Sequence, residues 1–126
     1  MKRGILIAIL AVGLLVLLIG EQIYLDRTMD TVVAKSKELQ AAIADNNQAK
    51  SLALTKQLEE FWKAQEPILT AILDHNEIED IGKQINYVRG FIESEDLEIA
   101  LIECKLLVYR ASSSTMIFNF DFQNIL

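Results

Sequence analysis

The chain has 126 residues, 12 basic against 18 acidic, a net charge of −6 and a single cysteine. Once an apolar N-terminal run is set aside, the remainder suffices for one domain and not for two. The acidic balance speaks against nucleic acid or anionic lipid as a partner, and one cysteine excludes a disulfide framework or a multi-cysteine metal site.

Residues 4–20, GILIAILAVGLLVLLIG, carry no charge. At 1.5 Å per residue the run spans roughly 26 Å, slightly short of a hydrocarbon core but credible as a crossing. Lys2 and Arg3 precede it, as a basic flank precedes a cleaved signal peptide. Cleavage wants small residues at −3 and −1, whereas Leu18 and Gly20 hold those positions before Glu21. The run is therefore expected to stay as a single-pass anchor in the cell membrane. The positive-inside tendency makes residues 1–3 a cytoplasmic stub and residues 21–126 an extracytoplasmic domain.

Leu25, Met29, Val32, Ser36, Leu39 and Ile43 step by four and three. This heptad-like, coiled-coil stripe predicts one helix over about residues 4–44. Asp45-Asn46-Asn47 offers a stop and a fresh N-cap. A second helix is expected from Gln48, with Leu54, Leu58, Phe61, Trp62, Ile68, Leu69, Ile72 and Leu73 on one face. The stripe keeps its phase across Pro67, which predicts a kink; the alternative is a break with a new helix starting there.

Ile78, Ile81, Ile85, Val88 and Ile92 share a face out of phase with the preceding one. A turn at Asp74-His75-Asn76 explains the change, with Asn76 and Glu79 as a capping-box-like pair opening a third helix that runs to about Glu93. Ser94 is expected to cap a fourth helix, with Glu95, Asp96 and Glu98 in its first turn, where the dipole favours acids. That helix is apolar on two sides: Leu97, Ala100, Leu101, Cys104, Leu107, Val108 and Ala111 on one, Ile99, Ile102 and Leu106 on the other. The serine run at 112–114 reads as its end, and Phe118, Phe120 and Phe122 alternate with period two, which predicts extended chain. The expected fold is all-α: a transmembrane helix continuing into a small antiparallel helical bundle, with an extended C-terminal tail.

The one titratable cluster is Asp74, His75, Glu77, Glu79 and Asp80. On a helix His75 and Glu79 are i,i+4 neighbours and could share a metal ion. Structural zinc usually wants four side chains, and a di-metal bundle needs Glu-x-x-His pairs on several helices. Ile72 stands three before His75, and there is no second histidine. A capped turn is the simpler reading. Cys104 lies within an apolar stripe, which suits core packing better than an intermolecular disulfide or a nucleophile. No phosphate loop or dinucleotide fingerprint occurs, and no cofactor is expected.

The favoured function is thus non-enzymatic: a membrane-anchored module serving as a structural or protein-interaction component of the cell envelope. The alternative is a metal- or ligand-binding module using the turn around His75. The partner is a protein or a second copy of the chain. The tail, with three phenylalanines and one charge in residues 116–126, is expected to pack on Ile99, Ile102 and Leu106; the alternatives are pairing with a partner by strand addition, and disorder or membrane contact.

Trp62 followed by Pro67, the stretch His75-Asn76-Glu77-Ile78-Glu79-Asp80-Ile81, and the ending Asn124-Ile125-Leu126 resemble the bacterial "domain of unknown function 4363" family. The resemblance implies a small membrane-anchored helical protein, mostly of Gram-positive bacteria, with no assigned activity and no functional residues to carry over.

Overall fold

The computed structural model describes the backbone of residues 1–125 and the side chains through residue 113. Four helices account for it: α1 (Lys2–Ala44), α2 (Gln48–Ile72), α3 (His75–Glu93) and α4 (Leu97–Ile125). Contacts link α1 to α2, α2 to α3, α3 to α4 and α4 back to α1. With connections of two or three residues, this is an up-down-up-down arrangement of antiparallel neighbours.

α1 is unbroken for 43 residues, and its two halves differ completely. Residues 1–20 are exposed along their whole length, and this half is long and apolar enough to cross a membrane. From Leu25 onward the predicted stripe is buried without exception: Leu25, Met29, Val32, Ser36, Leu39 and Ile43. Leu58, Trp62 and Leu69 of α2, Ile78, Ile81, Ile85, Val88 and Ile92 of α3, and Ala100, Cys104, Leu107 and Ala111 of α4 complete the core. Three of those α4 residues are small, so its backbone comes close to α1. Cys104 Sγ donates to the Ser36 carbonyl at 3.3 Å.

α2 departs from the expected stripe. Its buried residues are Ser51, Thr55, Leu58, Glu59, Trp62 and Leu69, whereas Ile68 is 49% exposed. Spacings of four and three pass through Ser51 and Thr55, which are legible only once their hydroxyls are seen to donate to the carbonyls of Asn47 and Ser51. The helix runs through Pro67, as its phase predicted.

The two turns at the far end of the bundle share one geometry. Asn46 and Glu95 both have positive φ, 58° and 62°. In each turn the next residue's N–H reaches back five positions, Asn47 to the Ala42 carbonyl and Asp96 to the Phe91 carbonyl. These are Schellman closures. Ser94 is therefore the C-cap of α3 and not the N-cap of α4, because this closure needs three residues between helices. At the other end Asp74, not Asn76, caps α3: its side chain accepts from Asn76 N–H. Asp74 has extended backbone, as an N-cap requires, whereas Asn76 is already inside the helix.

The extended tail is also corrected. α4 continues as helix to Ile125 and so does not turn back onto its own outer face. Neither Gly nor Pro occurs after Gly90, and a helix satisfies its own backbone where a lone strand would leave half its groups unpaired. The side chains of Phe118, Phe120 and Phe122 lie outside the described residues.

Candidate functional site

The cleft between α2 and α3 gathers the chemistry the sequence singled out, together with groups it did not. Asp74 and Leu73 connect the helices in extended conformation, which puts His75 at the first position of α3. His75 Nε2 stands 3.0 Å from Glu79 Oε1, as helical spacing dictates, with both side chains at least half exposed. Among the described residues no three His, Cys, Asp or Glu side chains converge as metal ligands would. Glu77, in the same turn, has its carboxyl pushed above 4.5, chiefly by burial and then by Asp74 and Asp80.

Above this turn lies a cleft of about 520 Å³, whose lining includes Glu59, Trp62, Glu66, His75, Glu79 and Gly82. Gly82 makes room for the indole: a Cβ there would stand 3.4 Å from Trp62 Nε1. Two buried polar atoms in this lining have no partner in the structure, the Trp62 Nε1 donor and Glu59 Oε1. The other oxygen of Glu59 accepts from Arg89 Nη1 at 2.6 Å, and Arg89 Nε donates to Glu93 at 2.7 Å. The Glu93 hydrogen bond, and then Glu59, raise the guanidinium pKa further. Glu59 was not singled out in the sequence. The available signal was an acid just beyond the edge of the apolar face, beside Leu58 and three residues before Trp62.

Polar links also join neighbouring helices elsewhere in the bundle. Tyr24 of α1 donates its hydroxyl to Gln65 Oε1 of α2. Gln84 of α3 donates to the carbonyl and carboxylate of Glu103 of α4, at 2.8 and 2.6 Å. Gln48 Nε2 donates to the Ile92 carbonyl at 3.0 Å, which satisfies an acceptor in the last turn of α3. Cys104 is fully buried, and burial pushes its thiol up to about 12. It is a packing residue with a weak donor, not a nucleophile at neutral pH.

On α4 the second apolar face remains uncovered: Ile99, Ile102, Leu106 and Tyr109 are 39%, 64%, 38% and 69% exposed. Their spacing of three, four and three makes one continuous outward stripe.

Residues 19–125 match the family model described as "Domain of unknown function (DUF4363)". The chain belongs to the DUF4363 family. Neither curated proteins nor solved structures gave a match. The matched span takes in the packed half of α1, the other three helices and the last turns of α4, so the C-terminal segment belongs to the DUF4363 domain. Most of the exposed apolar run precedes it.

Proposed function

We propose that this DUF4363 protein is a non-enzymatic module anchored in the cell membrane by the first half of α1, with the bundle outside the cytoplasm as a structural or interaction component of the envelope. One observation carries the reading. The same uninterrupted helix is wholly exposed and uncharged over residues 4–20, yet supplies a buried core stripe from Leu25. In water such a surface is costly at about 25 cal/mol per Å²; in a bilayer the cost disappears. Lys2 and Arg3 at the start of the run favour a cytoplasmic N-terminus.

The outward stripe Ile99, Ile102, Leu106 and Tyr109 supports an interaction role, since it offers a second helix the apolar spacing that the core helices offer one another. Protease added outside sealed protoplasts should digest the bundle. A protected bundle, or a mature N-terminus at Glu21, would overturn the reading.

A second reading, a ligand-binding module, is favoured by the unpartnered Trp62 Nε1 and Glu59 Oε1 in the α2–α3 cleft. A ligand there must offer an acceptor to the indole N–H and a donor to the carboxylate. The chain's single tryptophan makes its indole N–H resonance a direct reporter. For a metal, His75→Gln should abolish any chelator-dependent change in melting; as a simple capping-turn residue it should cost about 1 kcal/mol or less.

A further inference from the structure

α1 has no break between its exposed apolar half and its packed half, so the plane that crosses Gly20 fixes the height of everything packed on the helix. The Tyr24–Gln65 hydrogen bond puts Gln65 near the height of Tyr24 or slightly below it, since each side chain leans toward the N-terminus of its own helix. From there α1 reaches Gly20 in four residues, about 6 Å, whereas α2 descends seven more to Ile72, about 10 Å. Ile68 therefore sits level with Glu21 and Gln22. Ile72 and Leu73 come down slightly past Gly20.

The side chains at this end suit that height. Ile68 is 49% exposed, Pro67 and Ala71 beside it are exposed, and Ile72 and Leu73 are only half-buried. The uncharged run spans roughly 26 Å against about 30 Å for a hydrocarbon core, and this mismatch draws the base of the bundle down onto the headgroups. Asp74, Glu77, Glu79 and Asp80 follow in the next turn, with Glu79 against His75 and Glu77 near Asp74 and Asp80. By the same rise the start of this turn would fall below Gly20, so its charges resist the hydrocarbon, limit the descent of the base to the headgroup layer and disfavour an anionic leaflet.

We propose that the base of the bundle, Ile68, Ile72 and Leu73, is a lipid-contacting surface seated in the headgroup layer of a zwitterionic leaflet, rather than a face held clear of the membrane. The proposal deepens the anchor reading and rests on it.

The test uses the full chain, labelled on cysteine with a fluorophore in three separate variants, Leu14→Cys, Ile68→Cys and Lys50→Cys. The buried thiol of Cys104 stays unlabelled in the folded protein. Each variant is reconstituted in phosphatidylcholine vesicles containing lipid spin-labelled at the top of its acyl chain. The Ile68 label should be quenched nearly as strongly as the Leu14 label, and the Lys50 label, at the far end of α2, should not be quenched. Quenching at Leu14 with none at Ile68 overturns the seating and leaves the anchor standing. No quenching at Leu14 overturns both. Phosphatidylglycerol added to the vesicles should weaken quenching at Ile68; an increase would overturn the assignment to a zwitterionic leaflet.

Discussion

Ile68 and Leu69 are adjacent apolar residues on α2, and the structure assigns them opposite roles. Leu69 is completely buried and belongs to the core, while Ile68 is 49% exposed. Leu69→Ala removes buried methyl groups and leaves a cavity, a loss of about 3 kcal/mol. Ile68→Ala gives up roughly half a transfer free energy of about 2 kcal/mol and regains a few tenths through helix propensity, for a net loss of about 0.5 kcal/mol. The measurement is thermal unfolding of the full chain in mild detergent, followed by far-UV circular dichroism and the fluorescence of Trp62, the only tryptophan. For a domain of this size each kcal/mol moves the melting midpoint by roughly 4–8 °C, so the two variants separate clearly. Equal losses, or a larger loss at Ile68, would refute the placement of the α2 stripe and with it the apolar base of the bundle.

Glu95 holds a positive φ of 62° without being Gly or Asn, so Glu95→Gly should stabilise the bundle by about 1 kcal/mol. Asn46→Gly, at the equivalent turn, should change little. Gly90→Ala puts a Cβ into open space within α3 and should add about 1 kcal/mol in the same denaturation assay. Cys104, its thiol pushed up to about 12 by burial, should resist a thiol reagent at pH 8 until the protein unfolds; prompt reaction of the native state would show the α1–α4 contact to be wrong. Glu77 has its folded-state pKa raised above 4.5, so its contribution to stability is present below that value and lost as pH rises through the raised one. Glu77→Gln should therefore be more stable than the native chain at neutral pH and indistinguishable near pH 3, as urea midpoints at the two pH values would show.

The stripes of three helices were legible residue by residue: the α1 stripe with Ser36 in it, the α3 stripe and Ala100, Cys104, Leu107 and Ala111 on α4 are buried as their spacing implies. Legibility failed on α2, where polar residues take core positions. Ser51 and Thr55 are buried because an i−4 carbonyl absorbs each hydroxyl, and nothing in a hydropathy pattern marks that. It failed again at the turns, where Ser94 and Asn76 are good N-caps by type but backbone closure assigns the ends to other residues. The phenylalanine alternation misled for a similar reason: spacing of two is also compatible with helix when no breaker intervenes. At the cleft, sequence order gave His75 and Glu79 as neighbours, but the approach of Glu59 and Arg89, thirty positions apart, depends on how α2 and α3 pack.

With residues 4–20 as the anchor proposed above, the continuity of α1 would also make it a ruler. From Gly20 to Ala44 the helix rises about 36 Å, and the turns at Asn46 and Glu95 close the bundle at that height. With no flexible tether, the domain of an anchored molecule cannot lean out to search the space beyond. Such a domain would sweep a thin layer parallel to the membrane, turning about its own axis as the anchor diffuses. A partner anchored in the same bilayer would meet it in two dimensions at a fixed height, and one tethered farther out would have to reach down to it.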